Sequence, residues 1–328
     1  MKYISFLIIF LFILVITTGN ATSARTSSIK TITIGTNKSL ITSLISLAKE
    51  KKYFQEEGID IKLKSYPSCK RALNGFVNNE TSLVITAETP FIVETFKTPN
   101  IRLFATLGSS DNDIRIIGRS DHNIREPKDL IHKRIGVQKG CSTHFFLNSF
   151  LLFHNINSSD IKEIFLKREE LIPALKRGEI DAISIREPYL KEANKSLGKN
   201  FISFSQAGLY TKSSNLIGLS NFRSDNPNVI EKILNALIKA EDYANSHAKY
   251  DTTIRLSIDH SKGELDSMQL GVSLNQLLLR VLEEQIIWAK DENLITNVPK
   301  NYNVLDFIDL HPLLNIKPEV ITIFAQKD

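Results

Sequence analysis

The chain has 328 residues, which is enough to bury a full core and favours two domains over one. Its 42% apolar and 23% charged residues are those of an ordinary globular protein. The formal net charge is only +5, and Lys and Arg are spread along the chain without a polybasic block. Nucleic-acid binding therefore has little support, whereas a basic surface fits attraction of small anions or of an anionic membrane face.

The first 24 residues are typical of a secretory signal peptide. Met1 and Lys2 give a positive start, residues 6–16 form an almost unbroken apolar run, and residues 17–24 are small and polar. We predict cleavage after Ala21 or Ala24 and location in the periplasm or in another exported compartment. The alternative is an uncleaved anchor, which the shortness of the apolar run disfavours.

From Lys30 onward, short β-branched runs alternate with longer amphipathic stretches. This alternation predicts parallel sheets covered by helices, as two α/β units followed by a helical return. The predicted strands are 31–34, 59–63, 83–85, 101–105, 114–117, 135–137, 163–166, 182–185, 201–204 and 216–219. The predicted helices are 39–54, 68–77, 90–96, 143–153, 169–176, 227–250, 261–271 and 274–289.

Ligands of open parallel sheets bind beyond the carboxyl ends of the strands, so the loops at those ends are the candidate site. The most informative loop is 139–143, where a strand leads into a glycine turn and a helix opens through hydroxyl residues. Such a turn directs backbone N–H groups and the positive end of a helix dipole at one spot, which suits an anion or a polar head group. The alternative is an ordinary turn with Ser142 or Thr143 as a helix cap.

Five segments, in chain order, resemble the periplasmic solute-binding proteins of the nitrate/sulfonate/taurine and thiamine-pyrimidine-precursor type, which deliver substrates to ABC transporters. The segments are YFQEEGIDI at 53–61, EPKDL at 126–130 with KRIGV at 133–137, GCSTH at 140–144, ALKRGEIDA at 174–182 with EPY at 187–189, and IDLHPL at 308–313.

The resemblance implies an α/β, two-lobed periplasmic-binding-protein fold of type II. Each lobe would be a parallel-rich sheet flanked by helices, and two crossing strands, roughly 114–119 and 215–220, would form the hinge. Lobe one would comprise 30–113 and 221–328, and lobe two 114–220 with both hinge strands. The implied function is that of an exported, monomeric binding protein, which captures a small anionic or zwitterionic organic solute and presents it to an ABC transporter permease.

The candidate ligand-binding residues follow from the loops and from the resemblance. They are Asn37, Lys38, Ser39, Ser68, Thr86, Glu88, Gly140, Cys141, Ser142, Thr143 and Glu187. Glu88 and Glu187 favour a ligand with an amine, and Lys38 favours an anion, so a zwitterion would satisfy both. Either glutamate is also suited to a helix start, as a carboxylate beside a proline.

The two cysteines, Cys69 and Cys141, are too few for a disulfide framework, and their spacing matches no zinc motif. On opposite lobes they would be able to lock the cleft as a bridge, to hold a soft ligand or metal, or to remain free thiols, which we favour. We predict no catalytic residue, cofactor or metal, and we interpret His144 as a core or surface histidine.

Two other functions remain open at this point. One is an enzyme on the same fold, a pyrimidine-precursor synthase or a dehydratase, which the signal peptide and the lack of a cysteine-rich iron motif disfavour. The other is a sensor that passes closure of the lobes to a membrane receptor.

Overall fold

A computed structural model describes residues 31–37, 39–187, 189–247 and 268–323. The predicted signal peptide, Lys38 and the predicted helical stretches 248–250 and 261–267 lie outside the described residues. In the part of the chain that is described, no helix combines the length and the apolar character needed to cross a membrane.

The described chain alternates strands and helices as its sequence pattern predicts. The strands are β1 Thr31–Asn37, β2 Asp60–Tyr66, β3 Leu83–Thr86, β4 Ile101–Ser110, β5 Ile114–Arg119, β6 Arg134–Val137, β7 Lys162–Phe165, β8 Ala182–Arg186, β9 Phe201–Phe204, β10 Lys212–Leu219, β11 Met268–Asn275 and β12 Ile321–Thr322. The α-helices are α1 Ser43–Glu50, α2 Tyr53–Glu56, α3 Cys69–Val77, α4 Glu88–Thr95, α5 Ser142–Phe153, α6 Arg168–Arg177, α7 Tyr189–Leu197, α8 Ser220–Asp225, α9 Val229–His247, α10 Gln276–Asp291 and α11 His311–Ile316.

The strands form two sheets, and each sheet is the centre of one lobe. The large lobe has seven strands in the order β12-β11-β4-β10-β3-β1-β2, and α1–α4 and α8–α11 pack around it. The small lobe has five strands in the order β7-β6-β8-β5-β9, and carries α5–α7. Strands β1–β3, β6–β8 and the edge pair β11–β12 are parallel, while β4, β5, β9 and β10 pair antiparallel with their neighbours.

The small sheet is buried on both faces along its central strands β5, β6 and β8, whereas the edge strands β7 and β9 are partly exposed. Ile116 and Ile117, which are neighbours on β5, belong to different core clusters, because successive side chains of a strand point to opposite faces. Ile116 packs with the apolar side of α5, and Ile117 packs with α6 and α7. This double burial explains why the central strands β6 and β8 are mostly apolar in the sequence.

Asp181, in the GEIDA segment, has a structural role. Its carboxylate accepts hydrogen bonds from the backbone N (2.8 Å), Nε (2.9 Å) and Nη2 (2.7 Å) of Arg134, and it contacts Nδ1 of His122 at 2.7 Å. Asp181 therefore ties the start of β6 to the start of β8.

The chain passes between the two sheets at 111–113 and again at 205–211. A fully buried Lys212 pairs with Asp113 and so joins the two crossings. The buried Glu88, at the start of α4, accepts hydrogen bonds from the backbone N and the hydroxyl of Ser213, both at 2.9 Å, and from the hydroxyl of Tyr210. The second crossing is thus fastened to the large lobe.

The predicted assignment of strand 215–220 to lobe two is wrong. Strand β10 pairs antiparallel with β3 and β4, and it therefore belongs to the large sheet. Its fully buried Leu216 and Ile217 pack in the core of the large lobe, which explains the assignment. Residue 220 begins a helix, and the return to the large lobe is made before residue 212.

Two predicted helices also differ from the structure. The predicted helix 39–54 is interrupted, because Lys52 adopts a left-handed conformation (φ 63°) between α1 and α2. Residues 268–271, predicted as helix, belong to β11, where the alternating burial of Val272 and Leu274 shows a period of two. The next helix begins at Gln276, two residues later than predicted, with Asn275 as its N-cap.

Candidate functional site

The amino ends of three helices meet where the two lobes face each other. They are the start of α3 on the large lobe and the starts of α5 and α6 on the small lobe, and together they surround a cavity of about 20 Å³, room for about one water molecule. Each follows a strand of a parallel part of its sheet, which is the ligand-binding edge of such sheets. The lining residues are Ser68, Cys69, Lys70, Gln138, Cys141, Ser142, Thr143, Arg168, Leu171 and Arg186.

The large-lobe side of the cavity is built around Cys69. Ser68 is the N-cap of α3 and accepts a hydrogen bond from the backbone N of Arg71 at 3.2 Å. The Cys69 thiol donates to Oδ1 of Asn37 at 3.2 Å, and the Thr86 hydroxyl donates to the Cys69 carbonyl at 3.0 Å. Three predicted site residues, Asn37, Ser68 and Thr86, are therefore brought together around Cys69. Of these three, only Ser68 lines the cavity.

The small-lobe side is the turn that the sequence singles out. Gly140 has a φ of +67°, a left-handed conformation that favours glycine. Cys141 is the N-cap of α5, but no side chain caps the helix there. The Cys141 thiol donates to the carbonyl of Gln138 at 3.0 Å and contacts the hydroxyl of Thr143 at 3.2 Å. Ser142 and Thr143 are buried as the first residues of the helix and line the cavity, so neither serves as the N-cap.

The predicted ligand-binding residues do not include Arg168 and Arg186, which are the two buried arginines of the site. Arg168 begins α6 and Arg186 ends β8, and their side chains are 8% and 5% exposed. The guanidinium carbon of Arg168 lies 3.2 Å from the ring centroid of Tyr189. Arg186 donates through Nη1 to the carbonyl of Glu187 at 2.9 Å.

Both arginines keep unused hydrogen-bond donors. Within the described chain, Nε and Nη2 of Arg168 and Nη2 of Arg186 are buried without a hydrogen-bond partner. Burial, together with the neighbouring charge of Arg186, lowers the pKa of Arg168 to about 10, so the side chain is still a cation at neutral pH. Two cations with unsatisfied donors beside three helix amino ends make this cavity strongly attractive to an anion.

The structure has a closed cleft. Lys70 Nζ donates to the carbonyl of Lys139 at 2.7 Å, and the Tyr189 hydroxyl donates to the carbonyl of Pro67 at 3.2 Å. An exposed ion pair between Arg71 and Glu169 at 3.7 Å lies across the same gap. These contacts join the start of α3 to the 139–143 loop, α6 and α7 of the small lobe and explain the small volume of the cavity.

The other predicted site residues lie elsewhere. Glu88 is at the hinge, where burial raises the pKa of its carboxyl group, and Gln285 of α10 also contacts it at 3.4 Å. Glu187 is buried next to Arg186, but it is not among the cavity-lining residues. Ser39 accepts hydrogen bonds from the backbone N and the hydroxyl of Thr42 through its carbonyl, as part of the turn before α1.

Comparison with known proteins gives a consistent result. A Bacillus subtilis (strain 168) protein named for binding aliphatic sulfonates is 25% identical over 304 residues, which are 89% of either chain. The taurine-binding periplasmic protein of Escherichia coli (strain K12) is 21% identical over 191 residues, 58% of this chain and 59% of that one. The solved alkanesulfonate-binding protein of Xanthomonas axonopodis pv. citri, bound to MOPS, covers 87% of this chain and 100% of its own, with a TM-score of 0.69 at 17% identity.

These findings confirm the predicted two-lobed periplasmic-binding-protein fold and the predicted resemblance. The sequence model of the family described as NMT1/THI5 like matches residues 42–249, which is more than half of the chain. The protein therefore belongs to the NMT1/THI5-like family.

Proposed function

We propose that this protein is an exported solute-binding protein that captures a small organic sulfonate between its lobes and presents the closed form to an ABC transporter permease. The observation that carries the proposal is the pair of buried arginines at the junction of three helix amino ends. Their unused donors call for an oxyanion, and burial makes each charge-assisted hydrogen bond stronger than at the surface.

A sulfonate matches this arrangement in charge and in its number of acceptor oxygens, and the cavity must widen to admit it. It offers three equivalent acceptor oxygens, and Arg168 and Arg186 together hold three buried nitrogen atoms without a partner among the described residues. Ser142 and Thr143 add hydroxyl groups and helix N–H groups from the small lobe, while Ser68 adds a hydroxyl from the large lobe. A ligand held in this way contacts both lobes, so it stabilises the closed form by differential contacts.

The known relatives support a binding role over an enzymatic one. The curated relatives are named for binding sulfonates or taurine, and one solved neighbour holds a sulfonate buffer molecule. A capture mechanism needs no covalent step, and the site described above supplies binding groups from both lobes. Export by a cleaved signal peptide and action as a monomer with a permease partner are parts of this proposal.

Calorimetric titration with taurine, ethanesulfonate and MOPS tests the proposal, with β-alanine as the carboxylate counterpart of taurine. We expect binding of at least one sulfonate, weakened tenfold or more in Arg168→Gln and in Arg186→Gln, because a charge-assisted hydrogen bond contributes about 1.5–3 kcal/mol. Arg177→Gln is the matched control, since Arg177 lies on the same helix as Arg168 but is exposed and paired with Glu179.

Three results would count against the proposal. They are a wild-type protein that binds none of the sulfonates, a preference for β-alanine over taurine, and wild-type affinity in both arginine variants. Thermal melting of each variant separates a loss of binding from a loss of folding.

A further inference from the structure

A second polar cluster joins the two lobes, and none of its members lines the anion cavity. His144 of α5 is fully buried, and its Nε2 lies 3.2 Å from Oε2 of Glu163 and 3.8 Å from Oε2 of Glu292. Glu163 is on β7 of the small lobe, whereas Glu292 caps the carboxyl end of α10 on the large lobe. The three side chains thus come from three elements and from both lobes.

The spacing of these atoms suits a tetrahedral metal ion. Zinc binds histidine nitrogen and carboxylate oxygen at about 2.0–2.2 Å, which places neighbouring ligand atoms of a tetrahedron about 3.4 Å apart. The three donor atoms of the cluster all lie within 4.8 Å of one another, and two of the separations are 3.2 and 3.8 Å. A modest approach of the two carboxylates toward each other would complete three corners of a tetrahedron, and water would supply the fourth.

The charges of the cluster also call for a cation. In the part of the chain described, neither Glu163 nor Glu292 forms an ion pair with lysine or arginine, and Glu292 lies at the negative end of the α10 dipole. Burial, partly offset by His144 and reinforced by Glu163, raises the pKa of Glu292. Lys139, whose charge acts on Glu292, has its ammonium group 4.9 Å from the centroid of the Phe165 ring.

A layer of further contacts holds the cluster in place. Asn148 donates to Oε1 of Glu163 at 3.2 Å and accepts a hydrogen bond from Nε1 of Trp288 at 3.2 Å. The rings of Phe165 and Trp288 pack edge-on against His144, at 5.3 and 5.0 Å between ring centroids. Such partners fix the orientation of metal ligands and limit the access of water.

We propose that His144, Glu163 and Glu292 bind one divalent transition-metal ion, with zinc as the best match, and that the ion fastens the large lobe to the small lobe. Imidazole and carboxylate ligands together suit zinc, cobalt and manganese better than calcium or magnesium.

Metal binding at this cluster would alter the wall of the anion cavity. The backbone N–H of Gly140 points at Nδ1 of His144 over a long 3.4 Å, which requires an unprotonated Nδ1. Coordination through Nε2 moves the imidazole proton to Nδ1, so this contact must open. Gly140 immediately precedes Cys141 and Ser142 of the cavity wall, and a bound ion therefore changes the position of the loop that contacts the anion.

Titration of untagged, metal-stripped protein with Co²⁺ and Zn²⁺, without any sulfonate, tests the site directly. We expect one Co²⁺ per chain with the intense visible absorption of tetrahedral coordination, displaced by Zn²⁺, and a higher melting temperature with either ion. Glu163→Gln and Glu292→Gln should each weaken binding by more than about tenfold, because even the loss of an outer partner of a metal ligand costs 10–100-fold.

Asp291→Asn is the matched control, because Asp291 is exposed and its substitution removes the same charge from the same helix end. It should bind the metal as the wild type does. Absence of a stoichiometric metal ion, equal affinity in Glu292→Gln and Asp291→Asn, or a thiolate-to-cobalt absorption band that assigns the metal to Cys69 or Cys141 would each overturn the proposal. Since no sulfonate is used, these outcomes are independent of the proposed transport function.

Discussion

At the scale of single residues, Asp181 shows how a carboxylate in a family motif acts on stability rather than on the ligand. Although burial alone would raise the pKa of Asp181, hydrogen bonds from Arg134 and His122 hold it well below its usual range. A carboxylate with a depressed pKa stabilises the fold above its unfolded pKa of about 3.9, and the stabilisation is lost as the pH falls toward the folded pKa.

The variant Asp181→Asn should lower the free energy of unfolding by about 2–3 kcal/mol at pH 7, the value of a lost charged hydrogen-bond network. The difference from wild type should be constant above about pH 5 and should shrink below about pH 4. Urea denaturation at several pH values measures both effects. Glu179→Gln is the control, because its ion pair with Arg177 is exposed. Equal stability of Asp181→Asn and wild type at pH 7 would contradict the assigned role.

Arg168 and Arg186 show where residue-level reading of the sequence stops. The loop 139–143 and Ser68 are predictable because strand, glycine and hydroxyl patterns identify the ends of parallel strands. Arg168 follows a short strand in a run of charged residues, Lys167 to Glu170, which is the pattern of a solvated helix start. In the structure it is instead buried, over the ring of Tyr189 and beside the cavity. A signal was present, because Arg168 and Arg186 both stand at the carboxyl ends of predicted strands.

At the scale of elements, α10 connects the lobes. Leu278, Leu282 and Ile286 of this helix belong to the core of the large lobe. Val281 belongs to a core cluster of the small lobe, and Trp288 contacts Phe145 with 5.3 Å between ring centroids. The helix therefore presents one face to each lobe, a role that a hydrophobic pattern alone does not distinguish from ordinary packing.

Replacement of Trp288 by Ala should destabilise the protein by about 2–4 kcal/mol, because the ring contacts with His144 and Phe145 and the hydrogen bond to Asn148 are lost. Trp288→Phe should cost less, since only the hydrogen bond and part of the ring are removed. Chemical denaturation followed by circular dichroism measures both variants. The neighbouring Ile287→Ala serves as control, because Ile287 is 59% exposed. An equal loss of stability in Ile287→Ala and Trp288→Ala would disprove the role of the Trp288 face of α10 in joining the lobes.

At the scale of the whole molecule, the order of α/β units was predictable because each unit repeats one local pattern. The lobe to which β10 belongs and the strand conformation of β11 are predicted wrongly. The pairing partner of a strand is determined by distant residues, which a local pattern does not show. Strand β10 reads like any buried strand, and only its pairing with β3 and β4 shows that the chain has already returned to the large lobe. The hydrogen bonds of Glu88 with Tyr210 and Ser213 at the hinge also depend on this return of the chain to the large lobe.

Closure of the lobes should be visible in the fluorescence of Trp288, which is the only tryptophan of the chain and lies between the lobes. A sulfonate that binds should change its emission with the same concentration dependence as calorimetric binding. The doubly substituted protein, Arg168→Gln with Arg186→Gln, should show no change in emission at the same sulfonate concentrations. Calorimetric binding without any change in emission would mean that the surroundings of α10 do not alter when the ligand enters.

The unused donors of the two buried guanidinium groups, those of Arg168 and Arg186, have a consequence for how the protein binds common ions. A closed molecule with only water in the cavity leaves two desolvated cations next to each other, which is costly. We expect an inorganic anion from the medium, such as chloride, to lower that cost by entering the cavity before the organic ligand. Uptake of the organic ligand then becomes an ion exchange, so that its apparent dissociation constant rises with the concentration of the competing salt, by an amount that depends on which anion the salt contains.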